Sequence, residues 1–212
     1  LDAISWALYY VAAPFLILLA LVATVLNVTV LASRFSVKTR SSTLEMTYSL
    51  AASDTLSSIA QAASLFWNSL GPMVLGIKRE SMCFAMALEV FRMGFMLTGV
   101  FQITALAFGH YLQIVHPFDH KRILPLGYAQ ALVVFLWIVP TLVLTAYFWS
   151  FPGYGFQADK CKSSEPDEMF FYSNLYFRSS ISFIILSMMV ATCVIYLRLL
   201  KVVHSVCGEV TG

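Results

Sequence analysis

SMCFAMALEVFRMGFMLTGVFQITALAFGHYLQIVHP, residues Ser81 to Pro117, is the stretch that decides the fold. From Ser81 to Val115 it is almost wholly apolar, and Glu89 and Arg92 are its only acid and its only arginine. A helix crosses a bilayer in ~20 mostly apolar residues, and this run is long enough to do so at a tilt. Backbone groups in lipid must be satisfied within the segment, so a helix is the expected form.

The same pattern recurs on both sides. Apolar blocks at about 6–33, 45–70, 124–150 and 169–200 join 81–115 to give five expected spans in one transmembrane domain covering 1–212. Of the 212 residues, 59% are hydrophobic and 11% are charged. Ordinary soluble domains run nearer half apolar and a quarter charged, so the expected solvent for these blocks is lipid. A net charge of +2 without a basic stripe gives no footprint for nucleic acid. The first block lacks a basic leader and is too long for the apolar region of a cleaved signal, so it reads as a true span.

Charge assigns the sides. Arg34, Lys38, Arg40, Lys121, Arg122, Arg198 and Lys201 fall on one side. Lys78, Arg79, Lys160 and Lys162 fall on the other, diluted by Glu80, Asp159, Glu165, Asp167 and Glu168. The richer side is expected to be cytoplasmic, which puts the amino terminus outside.

Gly109-His110-Tyr111-Leu112-Gln113-Ile114-Val115-His116-Pro117 resembles the cytoplasmic end of the third helix of rhodopsin-like G-protein-coupled receptors, with Gly109 and His110 in place of that family's acid and arginine. Further marks follow in the family's order. They are Asn27 in the first span, Leu50-Ala51-Ala52-Ser53-Asp54 in the second, Cys83 opening the third, Trp137 and Pro140 in the fourth, Cys161 in the next loop and Tyr196 late in the fifth. The resemblance implies an all-α, multi-pass transmembrane helical bundle, five spans of a seven-helix receptor fold. The sixth and seventh helices are not in this sequence, so a fragment or a truncated product is expected. It further implies a plasma-membrane location, an extracellular ligand, a heterotrimeric G protein and possible receptor oligomers as partners, and a disulfide between Cys83 and Cys161. His110, Tyr111, Pro117 and Tyr196 become the expected G-protein contacts. A truncated chain that associates with full-length receptors without signalling is the competing expectation.

Several residues bear chemistry in their own right. Asp54 lies about 14 Å into the second helix if that helix starts near Glu45, and an ionisable group at such depth is a functional candidate. The resemblance implies a sodium ion or a proton-sensitive switch there, with Asn27 as polar neighbour; a neutral Asp hydrogen-bonded between helices is the alternative. Glu89 and Arg92 stand at i and i+3 and share a helix face. With the fifth helix starting near Met169, Arg178 would lie ~14 Å below its outer end, level with Arg92. Two arginines against one glutamate would suit a ligand with an anionic group, since guanidinium grips carboxylate and phosphate with paired hydrogen bonds. An internal Glu89–Arg92 or Glu89–Arg178 pair without ligand is the alternative. Met93, Met96, Phe95, Trp67, Asn174 and Phe171 are candidate lining residues, or simple packing.

Cys193 reads as packing, and Cys207 as a candidate for palmitoylation. His116 and His120 have a metal-like spacing but no completing ligand, so solvated loop histidines are expected. Asn27-Val28-Thr29 is a glycosylation sequon buried in a span. No hydrolase, metalloprotease or phosphate-loop motif occurs, and no enzyme activity is expected.

Overall fold

The structure, a computed structural model, describes residues 6–37, 41–77, 82–150, 155–157 and 174–211. Among them there are helices and no strands. Five long helices form the frame: α1 (Ala13–Ser33), α2 (Ser42–Leu65), α3 (Met82–Val115), α4 (Leu126–Trp149) and α5 (Leu175–Thr211). A π-helical turn, Leu8–Ala12, leads into α1. A second π-turn, Phe66–Leu70, and a short helical turn, Gly71–Val74, extend α2.

The helix ends follow local chemistry. Ser41 sits in extended backbone and its side chain accepts from the Leu44 N–H, capping α2, with Glu45 in the first turn to meet the positive end of the helix dipole. The extension of α2 stops where Gly76 takes φ 65° and the Ile77 N–H returns to the Gly71 carbonyl at 3.0 Å, a helix-ending turn that glycine permits. Pro125 precedes α4 in extended backbone. Asn174 Oδ1 accepts from the Tyr176 and Phe177 N–H groups and so starts α5. The expected start near Met169 lies outside the described residues. That cap moves Arg178 into the first turn, about 5 Å from the helix start instead of 14.

Among the described residues four helices are long and apolar enough to cross a membrane: Leu8–Ser33, Cys83–Val115, Leu126–Trp149 and Leu175–Ser205. The chain is thus a helical bundle of membrane type. α2 is helical where a span was expected but is more polar, carrying Ser, Thr, Gln, Glu45 and Asp54. Its position explains that composition. α2 touches α1, α3 and α4 and buries Met46, Tyr48, Ala51, Ser53, Thr55, Ala60 and Ser64, so its neighbours take up most of its surface.

Packing is uneven. α3 is central, in contact with α2, α4 and α5. Met86, Val90 and Leu97 of α3, Leu144 and Phe148 of α4 and Phe177 of α5 form one apolar cluster, where Tyr147 and Phe177 stack at 4.5 Å. At Gly94 an added Cβ would stand 2.9 Å from Thr141 Oγ1, so the missing side chain lets α3 and α4 approach closely. The two edge helices differ sharply: only 6% of the apolar window of α1 is buried, and none of that of α5.

Candidate functional site

The principal polar cluster lies between the first third of α3 and the end of α2. Glu89 is 4% exposed. Its carboxylate forms an ion pair with Arg92 one turn on and accepts from Arg92 Nε at 2.9 Å and from Ser64 Oγ at 3.2 Å. Arg92 also donates to Gln61 Oε1 at 3.2 Å, and Asn68 Nδ2 donates to Ser64 Oγ at 3.3 Å. The pair is neutral as a unit, and each charge has hydrogen bonds, the condition under which charges are tolerated away from water. Trp67 Nε1 and Asn68 Oδ1, both on the π-turn that extends α2, are buried without a hydrogen-bond partner. They leave one donor and one acceptor beside the pair. Trp67 meets Phe84 edge-on at 5.0 Å.

Glu89 and Arg92 are therefore brought together, but they turn to α2 and not to α5. Arg178 does not join them. It is exposed on the first turn of α5 and forms no ion pair or side-chain hydrogen bond among the described residues. The α3–α5 interface at this level is filled by Val90, Met93, Phe177 and Ile181 of the apolar cluster. Met96 is half-buried, and Phe95 meets Trp137 edge-on at 6.0 Å. Asn174 is engaged as the cap of α5 and donates to Tyr147 Oη at 3.4 Å. Phe171 lies outside the described residues.

Sequence reasoning missed Gln61, Ser64 and Asn68. They are spaced by three and four along α2 and so share one face. That polar stripe, continuous with Asp54 one heptad before Gln61, was the available signal.

Asp54 is half-buried on α2, and its carboxylate lies against Gly99 of α3, where an added Cβ would stand 3.1 Å from Oδ1. Ser53 beside it donates to Gln102 Oε1 at 3.2 Å. Asn27 is half-buried on α1, and neither it nor Asp54 has a side-chain hydrogen bond among the described residues. A hard cation wants several oxygen ligands. Among the described residues Asp54 belongs to no group of three or more His, Cys, Asp or Glu side chains.

At the other end of α3, Gly109 is buried with Leu124 and Met46 as its nearest neighbours, at 3.8 and 3.9 Å from an added Cβ. An acid there would face an aliphatic carbon and a thioether. His110 and Tyr111 are half-buried; Pro117 and Tyr196 are exposed. His116 is exposed as expected, but His120 is not a solvated loop residue. It is 7% exposed, with Nε2 unpaired, because it opens a helical turn (His120–Ile123) that folds under α2. There Ser42 Oγ donates to the Leu124 carbonyl at 2.7 Å.

Cys83 is half-buried and disulfide-bonded. Cys161, its expected partner, lies outside the described residues. Cys193 is free and exposed, so the expectation that it packs inside is corrected: it is on the outer side of the edge helix.

No family model matches this chain, and no curated protein matches it.

Proposed function

We propose that this chain is a ligand-sensing membrane receptor of the rhodopsin-like kind, with five spans, the amino terminus outside and a plasma-membrane location. Support for the spans comes from four apolar helices and from an α2 whose polar groups are covered by neighbouring helices. Support for sensing comes above all from one observation: a neutral pair of buried Glu89 and half-buried Arg92 beside an unpaired buried donor and acceptor, Trp67 Nε1 and Asn68 Oδ1. Buried polar groups are nearly always paired, so a ligand with an acceptor and a donor of its own is the natural complement. Arg178, exposed at the head of α5 and apart from the Glu89–Arg92 pair, favours an anionic group at the outer end of the bundle. In this reading the ligand favours one arrangement of α2 against α3, and the far end of α3, with His110, Tyr111, Pro117 and Tyr196, contacts a G protein. Differential affinity for the two arrangements drives the response. The Cys83 disulfide belongs with Cys161, tying the outer loop to α3.

The test is a G-protein nucleotide-exchange assay on membranes carrying the full coding sequence. A panel of carboxylate- and phosphate-bearing metabolites is compared with their neutral esters. Acid-selective exchange that Arg178→Ala weakens and Arg92→Ala abolishes supports the proposal. Equal potency for acids and esters removes the anionic ligand, and absence of exchange with every compound removes the receptor.

A second reading, a non-signalling chain that associates with receptors in the membrane, is favoured by the bare apolar faces of α1 and α5. Cysteine cross-linking from Cys193 to a co-expressed full-length receptor distinguishes the two.

A further inference from the structure

Away from the Glu89 cluster, a cavity of about 290 Å³ opens on the flank of the bundle among α1, α2 and α4. Its lining changes character with depth. Arg34, at the end of α1, Glu45, in the first turn of α2, and Gln130, near the start of α4, form the level nearest the helix ends. One turn deeper along the same three helices come Leu31, Tyr48 with Ser49, and Val133 with Val134; Trp137 lies deeper still. A polar mouth at the span ends over an apolar throat is the profile of the headgroup–hydrocarbon boundary.

The mouth holds charges of both signs. Arg34 Nη2 lies 3.1 Å from Glu45 Oε2, and the guanidinium stands over the Tyr48 ring at 5.7 Å from its centroid. The arginine side chain is 53% exposed and the glutamate 14%. An ion pair with so exposed a partner contributes little by itself, so a second pair of charges inserts without large loss. Gln130 is exposed and has no side-chain hydrogen bond among the described residues, which leaves its amide to serve a ligand. The Trp137 indole N–H is already given to Ser49 Oγ at 2.9 Å, so the throat offers apolar ring surface rather than a donor.

We infer that this cavity binds a phosphatidylethanolamine molecule, its phosphate on Arg34 and Gln130, its ammonium on Glu45 and its acyl chains along Leu31, Val134 and Trp137. Arginine suits the phosphate because its planar fork matches two of the oxygens. A primary ammonium suits Glu45 because it donates hydrogen bonds, which a choline headgroup cannot. An anionic headgroup without ammonium would set its charge against Glu45. The inference needs membrane embedding alone and does not depend on the receptor reading.

The experiment is native mass spectrometry of the full chain released from nanodiscs of equal phosphatidylethanolamine, phosphatidylcholine, phosphatidylglycerol and sterol. The wild type retains phosphatidylethanolamine over phosphatidylglycerol by about fivefold, the factor one charge carries at a membrane surface. Glu45→Gln reverses the preference toward phosphatidylglycerol, and Arg34→Gln lowers retention of both. Equal retention in the wild type, a ratio untouched by Glu45→Gln, or sterol retained in place of phospholipid each overturns the inference. A merely structural Arg34–Glu45 bridge would not move headgroup preference. Photo-cross-linking of the unaltered chain with a headgroup-diazirine phosphatidylethanolamine provides a reading that needs no variant: adducts on the peptides holding Arg34 or Gln130 support the site, and adducts only elsewhere refute it.

Discussion

Cutting the Glu89–Arg92 pair from one side only is the most informative perturbation. In Arg92→Met the arginine stem is kept in outline, but Glu89, 4% exposed, loses its counter-charge and the Nε donor at 2.9 Å. Ser64 Oγ remains as a donor at 3.2 Å. Removing one partner of a buried pair costs about 3–5 kcal/mol, because the other charge is left uncompensated. For a chain of this size each kcal/mol moves the melting temperature by about 2–4 °C, so a fall of roughly 6–20 °C is expected. The double variant Glu89→Leu/Arg92→Met removes both charges and should recover most of the loss, since an apolar substitute for a buried pair is often neutral. Glu89→Gln is intermediate, losing the charge but keeping an acceptor for Ser64. The assay is thermal unfolding of purified protein in one detergent, followed by intrinsic fluorescence, with the wild type, Glu89→Leu, Arg92→Met and their double variant as one double-mutant cycle and Glu89→Gln measured alongside. Additive losses in the double variant, or a fall of less than ~2 °C in Arg92→Met, would refute a buried, mutually dependent pair.

Three further outcomes follow from single contacts. Gly94→Val should destabilise the bundle by about 1–3 kcal/mol, because a Cβ alone already stands 2.9 Å from Thr141 Oγ1; the melting curve checks this, and Gly94→Val in a Thr141→Ala background should recover part of the loss. Ser42→Ala removes the 2.7 Å bond to the Leu124 carbonyl, costs about 1 kcal/mol and should speed protease cleavage in the His116–Leu124 segment; unchanged cleavage would show that the segment is held by other contacts. Cys83→Ser should lower stability by about 2–5 kcal/mol under oxidising conditions and by nothing after reduction, whereas Cys193, free and exposed, should take up a lipid-soluble maleimide in the unreduced protein.

The spans were legible because lipid imposes one rule on every residue in them. Apolar run length placed the ends of α1, α3 and α4 within two residues of the observed Ser33, Val115 and Trp149. α2 was legible as a helix but not as the covered helix of the bundle: coverage depends on which neighbours surround it, and a single sequence does not state neighbours. The Glu89–Arg92 pair was readable from its i, i+3 spacing. Its orientation toward Gln61 and Ser64, instead of toward Arg178, was not. That orientation follows from Val90, Met93 and Leu97 claiming the α4–α5 side of α3, together with the Asn174 cap that starts α5 late. His120 was misread for a related reason. A histidine in a polar, proline-containing loop looks solvated until the turn His120–Ile123 and the Ser42 bond fold it under α2.

The distribution of polar contacts says which helices the bundle holds firmly. Inside lipid there is no hydrophobic drive between helices, so close packing and interhelical hydrogen bonds must supply the association, each bond contributing ~0.6 kcal/mol on average. α2 and α3 share Ser53–Gln102, Ser64–Glu89 and Gln61–Arg92. α4 is tied to α2 by Trp137–Ser49 and to α3 by the Thr98 hydroxyl on the Leu136 carbonyl. α5 is tied to α3 by Thr104–Thr192 at 2.9 Å. α1 has none of these within its apolar length: Thr24, Thr29 and Ser33 all bond back to carbonyls of their own helix. Its one polar tie among the described residues is Arg34–Glu45 at the end of the span, and Arg34 is largely exposed. α2, α3 and α4 are therefore tied to one another by hydrogen bonds across their interfaces, whereas α1 is held to α2 by packing and by the Arg34–Glu45 contact. A lipid bound across Arg34, Glu45 and Gln130 would bridge α1 to α4 beside the Arg34–Glu45 contact that ties α1 to α2.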